Sequence, residues 1–182
     1  MNIYGIIILA AIIIGFILDI AADYLNLKNL KPELPDEFKD TFDEEKYRKA
    51  QEYTRTKTRF GFYSTVFSLI VFLMFWFAGG FNWLDQYVSA ITEVTIYRGL
   101  IYIGILMLAQ MLISMPFSLY STFVIEEKFG FNKTTPKTFA LDTLKSILLA
   151  IVIGGPLLAA VMYILDSAGN YAWLYGWGAV TL

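Results

Sequence analysis

The segment FVIEEKFGFNKTTP, residues 123–136, lies between two hydrophobic runs that are each long enough to cross a membrane. Gly130 suits a helix end that turns into the left-handed conformation. Thr135 followed by Pro136 is typical of the cap and first turn of a new helix. The segment therefore predicts a helical corner on one side of a membrane.

The composition indicates the same class of protein. Hydrophobic residues make up 57% of the chain and charged residues 16%, whereas a soluble domain carries about 25% charged residues. The apolar residues collect into runs of roughly 20, the length that spans about 30 Å of hydrocarbon. We therefore predict an all-α polytopic membrane protein. The sequence contains neither cysteine nor histidine, so its own side chains offer a metal only oxygen ligands, which suit hard cations rather than zinc.

We predict four full transmembrane helices and a truncated fifth, all within one transmembrane domain over residues 1–182. The first run lacks basic residues before it and a cleavage site after it, which favours a retained helix over a signal peptide. The fifth run reaches Leu182 after about a dozen residues, and a membrane protein rarely ends midway across a bilayer. We therefore expect the sequence to belong to a longer protein. The predicted spans are about 3–22, 60–84, 95–120, 147–165 and, in part, 171–182.

The charges predict an orientation. All of the 14 Lys and Arg residues except Arg98 lie in two connections, at about 24–59 and 121–146. By the positive-inside rule these connections are cytoplasmic and the amino terminus is outside. The membrane would be the cytoplasmic membrane if the organism is prokaryotic. Asp43 is a residue type typical of a helix N-cap, and from there onward the pattern is helical with no Pro or Gly before Gly61. A helix should therefore project from the second span into the cytoplasm.

The spelling FVIEEKFGFN followed by KTTPKTFALDTLK resembles the amino-terminal membrane domain of the type I CAAX prenyl endopeptidase family. The pattern YxxAQxYTxxKxxFG at residues 47–61 resembles the same family, and the resemblance covers about 24–165. A plain helical corner could explain the Gly, Asn and Pro alone, but it does not require EEK before the glycine or Phe131 after it. The motif-loop residues, which the resemblance places on the catalytic side, are Glu126, Glu127, Lys128, Gly130, Phe131, Asn132, Pro136, Asp142 and Lys145.

The resemblance implies a zinc metalloprotease that removes the terminal tripeptide from prenylated CAAX proteins. In that family an HExxH motif and a later glutamate hold zinc in a cytoplasmic catalytic region, and the HExxH glutamate is the general base. This chain has no histidine, so it supplies no catalytic or metal residue, should be inactive alone, and would depend on zinc in a full-length parent. The implied partners are the bilayer, the remaining helices, a C-terminal catalytic domain and prenylated or other membrane-protein substrates. Nucleic acid is not indicated, since basic residues alternate with acidic ones.

Three polar side chains within the spans could line a polar cavity. Asp19 and Asp23 share one face near the cytoplasmic end of the first helix, where interfacial anchoring or pairing with a basic side chain is the alternative. Gln110 lies centrally in the third span and needs a hydrogen-bond partner there. The projecting helix is expected either to be a solvated extension or to pack Tyr47, Tyr53 and Phe60 on a domain supplied later in the chain.

Two other functions stay open at this point. A transporter fragment would show buried charges at mid-depth or a broken helix in each repeat half. Only Gly154-Gly155-Pro156 interrupts a span, and it more simply indicates a kink or a close helix crossing. A non-catalytic membrane scaffold, complete in itself, conflicts only with the short fifth run.

Overall fold

The computed structural model describes residues 2–35, 43–167 and 177–178. Its helices run in the order α1, α2, α3, α4 and α5, and all of them except α3 are long and apolar enough to cross a membrane. This confirms the all-helical integral-membrane fold. Only Trp177 and Gly178 of the predicted fifth span are among the described residues. The helices are α1 Ile3–Asn29, α2 Glu44–Phe77, α3 Gly80–Ile91, α4 Thr95–Phe129 and α5 Pro136–Ser167.

Side-chain oxygens cap the first turns of three helices. Asn2 caps α1, Asp43 caps α2 and Thr135 caps α5, each accepting a backbone N–H two or three residues ahead at 2.9–3.1 Å. The hydrogen bond from the backbone N–H of Lys46 lowers the pKa of Asp43 below its usual value. The caps at Asp43 and Thr135 confirm the prediction, and α2 runs unbroken from the charged connection into its apolar part.

The second predicted span, 60–84, extends too far. Helix α2 ends at Phe77, and the chain turns at Gly79, whose φ of +76° is left-handed. The Gly79 N–H donates to the carbonyl of Trp76 at 3.0 Å, which tightens the last turn. The sequence stays apolar through Leu84, so hydrophobicity alone cannot show where one helix stops and the next begins.

Two helices contain widened, π-helical turns. In α4 such a turn covers Ser121–Glu126, and the helix then continues to Phe129 as predicted. In α5 it covers Ala150–Gly154, directly before Gly155-Pro156. Proline lacks an N–H and its ring crowds the carbonyl one turn earlier, so a wider turn is a common adjustment. The predicted break at residues 154–156 is thus a local widening within a helix that continues to Ser167.

The chain divides into two compact units, residues 1–70 with 116–132, and residues 71–115 with 133–182. The buried hydrophobic side chains are few: Leu34, Ile125 and Phe129 in the first unit, and Leu84 and Val88 in the second. The most apolar window of each long helix has none of its residues buried by protein. Such apolar surfaces are stable against lipid rather than water, which agrees with the membrane assignment.

Candidate functional site

The C-terminus of α4 forms the corner that the sequence predicts. Gly130 has a φ of +73°, and its N–H donates to the carbonyl of Glu127 at 3.0 Å. The N–H of Phe131 donates to the carbonyl of Glu126 at 2.9 Å, and that of Asn132 reaches the same carbonyl at 3.2 Å. The Gly130–Glu127 and Phe131–Glu126 bonds together form a Schellman motif around the left-handed glycine, which satisfies the last carbonyls of the helix. We name residues 126–132, with Tyr53 and Lys57 of α2, the charged corner.

Aromatic rings join α2 to this end of α4. The Tyr53 ring meets Phe129 edge-on at 5.5 Å between centroids, and Phe131 at 4.8 Å. Phe129 is 5% exposed, whereas Phe131 is 51% exposed. Two turns further along α2, the Phe60 ring stacks on the Tyr120 ring, with 4.9 Å between centroids. The sequence left two alternatives for Tyr53 and Phe60, solvation or packing on a later domain, whereas α4 of this chain contacts both rings.

An ion pair closes the charged corner. Lys57 Nζ lies 3.1 Å from Glu126 Oε1 and 2.8 Å from the Tyr53 hydroxyl. Lys57 stands on the charged part of α2, before the apolar run that begins at Phe60. Hydrogen bonds to the Tyr53 hydroxyl and, next, to Glu126 raise the pKa of Lys57. Glu126 therefore stabilises the corner through two groups: its carbonyl accepts hydrogen bonds within the turn, and its carboxylate pairs with Lys57 of α2.

The outer surface of the corner carries exposed polar groups. Glu127 and Lys128 are exposed, and the Asn132 amide donates to Glu127 Oε2 at 3.0 Å. The Lys128 ammonium lies 5.5 Å from the centroid of the Phe129 ring. Together with the half-exposed Phe131 ring, these groups form a surface with both charged and apolar character, which is typical of contacts between domains.

The structure brings together the first six motif residues but assigns the last three to the other unit. Pro136 is the first residue of α5, and Asp142 pairs with Lys145 at 3.4 Å on the exposed side of the same helix. Both of those side chains are well exposed. The three residues are thus described on α5 alone.

The polar residues of the spans occupy separate places. Asp19 is exposed and Asp23 half-exposed on α1, and Gln110 is exposed on α4. The cavity found in the second unit is lined by other residues. A polar-cavity role for these three side chains stays a prediction.

The second unit contains an open cavity of about 620 Å³ that the sequence did not reveal. Arg98, the lone basic residue outside the two charged connections, pairs with Asp85 at 2.6 Å on its rim. Asp85 precedes Arg98 on a different helix, so no local spacing marks the two as partners. The lining residues are Asp85, Glu93, Thr95, Arg98, Gly99, Tyr102, Ile103, Met162, Leu165 and Asp166.

Metal-binding side chains do not cluster within the described ranges. Among residues 2–35, 43–167 and 177–178, no three His, Cys, Asp or Glu side chains come close enough to hold an ion.

A family profile described as "CAAX prenyl protease N-terminal, five membrane helices" matches residues 23–182. The chain belongs to the CAAX prenyl protease family. Similar proteins include the probable CAAX prenyl protease 1 of Schizosaccharomyces pombe, 35% identical over 75% of this chain and 32% of the relative. The CAAX prenyl protease 1 homolog of Arabidopsis thaliana is 30% identical over 91% of this chain and 42% of the relative.

The fold of this family member is similar to that in the crystal structure of S. mikatae Ste24p. The TM-score is 0.84 at 31% sequence identity, covering 100% of this chain and 44% of that one. The chain thus spans less than half the length of these relatives, and it corresponds to the N-terminal membrane domain of the family.

Proposed function

We propose that this chain is the membrane-embedded amino-terminal portion of a zinc metalloendopeptidase acting on prenylated proteins, where it frames the membrane chamber and docks the catalytic domain. The observation that carries the proposal is the profile match over residues 23–182, supported by a TM-score of 0.84 across the whole chain. The zinc, the catalytic domain and the prenylated substrate belong to the proposed full-length parent.

The charged corner is the part of the chain best suited to contact a catalytic domain. Both α2 and α4 extend beyond their apolar parts there, and the Lys57–Glu126 ion pair with the Tyr53 ring packing holds the two extensions together. A surface that is already ordered loses less conformational entropy when a partner binds. The exposed Phe131, Glu127 and Lys128 side chains are the contacts that this surface offers.

The role of this chain in the reaction would be one of position rather than chemistry. In the parent, zinc would be held by histidines and a glutamate outside these 182 residues and would activate a water molecule. The membrane helices would hold the lipid-modified end of the substrate near the cytoplasmic side, and the charged corner would fix the catalytic domain over it. By the positive-inside rule the charged connections would be cytoplasmic, and the proposed catalytic domain would lie on that side.

Split complementation tests this proposal. The 182-residue chain is co-expressed with the remainder of the S. pombe relative, and isolated membranes are assayed for release of the terminal tripeptide from a prenylated CAAX peptide. The two halves of the S. pombe protein, co-expressed in the same way, are the positive control. We expect activity only when both parts are present, and loss of activity with a zinc chelator. Inactive membranes and no co-purification, with an active control, would contradict the proposal and favour a scaffold.

A pair of phenylalanine variants tests the charged corner separately. Phe131→Ala removes a half-exposed ring from the corner, while Phe77→Ala removes an exposed ring from the opposite end of α2. We expect Phe131→Ala to weaken co-purification of the two parts several-fold, and Phe77→Ala to leave it unchanged. Equal effects of the two variants would show that the corner is not the contact surface.

A further inference from the structure

Helix α3 follows the end of α2 that is away from the charged part of that helix, and it is too short to cross a membrane. Its 12 residues, Gly80–Ile91, measure about 18 Å, which is too short to cross about 30 Å of hydrocarbon. Only Ala78-Gly79 separates it from α2, and only residues 92–94 separate it from α4. Because both neighbouring helices cross the membrane, connections of this length leave α3 no room to move away from the interface.

The three sides of α3 differ in character. Gly80, Leu84 and Val88 recur every four residues and are buried, Leu84 at 2% and Val88 at 0% exposure. On the opposite side, Asn82 and Gln86 are exposed. This division gives α3 an inner side against protein and an outer polar side.

An aromatic flank lies between these two sides. Trp83 and Tyr87, one turn apart, are 62% and 55% exposed. Their rings are stacked nearly parallel, with centroids 5.9 Å apart and an interplanar angle of 17°. Trp and Tyr side chains favour the headgroup level of a bilayer, where the ring is apolar on one part and polar on another.

Contacts within the second unit fix the rotation of α3 about its own axis. Arg98 of α4 pairs with Asp85 at 2.6 Å, and the Tyr102 hydroxyl donates to the carbonyl of Phe81 at 3.4 Å. The Phe81 ring also meets the rings of Phe75 at 4.9 Å and Trp76 at 5.6 Å, near the end of α2. The helix therefore cannot rotate freely to hide its aromatic flank.

We propose that α3 is an interfacial helix that lies in the membrane plane and inserts the Trp83–Tyr87 flank among lipid headgroups and upper acyl chains. Asn82 and Gln86 face the water beyond the end of α2 that is away from its charged part. The helix contains no Lys or Arg, and the nearby Arg98 already pairs with Asp85. The contact is therefore one between aromatic rings and lipid, without a requirement for anionic headgroups.

Single-cysteine labelling tests the proposal, because the sequence has no cysteine of its own. The full 182-residue chain is reconstituted in phosphatidylcholine nanodiscs with a nitroxide at one position in each sample. The test positions are Trp83→Cys and Tyr87→Cys, and the matched controls are Asn82→Cys and Gln86→Cys. We expect oxygen to relax the two test labels several-fold more strongly than the controls, and an aqueous nickel chelate to show the opposite order. Added phosphatidylserine should not change either order.

Two outcomes would overturn the proposal. Equal exposure of all four labels to the nickel chelate would place α3 in water, and exclusion of both relaxing agents from Trp83→Cys and Tyr87→Cys would mean that protein covers the flank. Tryptophan quenching by brominated lipids gives a second measurement that needs no label. The Trp83→Phe variant should lose part of the quenchable fluorescence intensity, and an unchanged quenchable intensity would contradict lipid contact at Trp83.

Discussion

The charged corner and the turn between α2 and α3 use the same backbone device in two different settings. Each places a glycine in the left-handed conformation, with φ of +73° at Gly130 and +76° at Gly79. Each also lies near an ion pair and a group of aromatic rings. The corner, however, lies in a polar segment, whereas the α2–α3 turn lies inside a mostly apolar stretch whose first polar residue after the turn is Asn82.

The difference shows which turns of a membrane protein can be read from its sequence. In the corner, several signals mark the same boundary between α4 and α5: polar residues, the glycine, and Thr135-Pro136 at the start of α5. In the α2–α3 turn, hydrophobicity is needed on both sides of the glycine because both helices contact lipid or protein there. The glycine is then the main sequence signal for the end of α2.

Removing buried side chains should give the largest effects. Phe129→Ala empties the space between α4 and Tyr53, and we expect it to reduce the free energy of unfolding by about 3–5 kcal/mol. Leu84→Ala, on the inner side of α3, should cost about 2–5 kcal/mol. Unfolding in mixed micelles, followed by circular dichroism, measures both losses. Phe131→Ala is the control, since its ring is half-exposed, and a loss as large as that of Phe129→Ala would contradict the burial difference.

Substituting either left-handed glycine should lower stability by a smaller amount, and the loss should be the same in both turns. We expect Gly79→Ala and Gly130→Ala each to lower stability by about 1–2 kcal/mol, because a Cβ disfavours positive φ. Gly61→Ala is the matched control, since a Cβ there meets no atom within 4 Å and the residue is helical. That variant should be neutral or slightly stabilising. Equal losses in all three would mean that the left-handed conformation is not the cause.

The two ion pairs should contribute least. Both are partly exposed, and such pairs have coupling energies of about 0.2–1 kcal/mol. We expect double-mutant cycles with Lys57→Met and Glu126→Gln, and with Arg98→Met and Asp85→Asn, to give values in this range. The exposed Lys46–Asp43 pair, at 3.7 Å, is the control and should give less. A coupling energy of zero for either test pair would show that this pair does not stabilise its turn.

Much of the fold followed from the sequence because its signals are local. The lengths and polarity of the apolar runs predicted the long helices, and the caps at Asp43, Gly130 and Thr135 were each visible as a residue type at the right offset. The end of α2 at Phe77 was not visible in the sequence, because Phe81, Trp83 and Leu84 continue the apolar run. Hydrophobic period and length cannot separate two apolar helices joined by a tight turn.

The candidate site was predictable in its residues but not in its contacts. The motif spelling singled out Glu126, Phe131 and Asn132. It did not show that Lys57 pairs with Glu126 or that Tyr53 packs on Phe129, because these partners are far apart along the chain. The Arg98–Asp85 pair was missed for the same reason. Long-range partners depend on how helices pack, which one sequence does not specify residue by residue.

The intact mass and zinc content of the protein isolated from its native source show whether these 182 residues are part of a zinc metalloprotease. We expect a single polypeptide well above 20.7 kDa, the mass of these 182 residues, with an HExxH peptide in its digest and one zinc ion per chain. A native product of 20.7 kDa that carries no zinc would contradict the assignment to a metalloprotease and leave a membrane scaffold as the function.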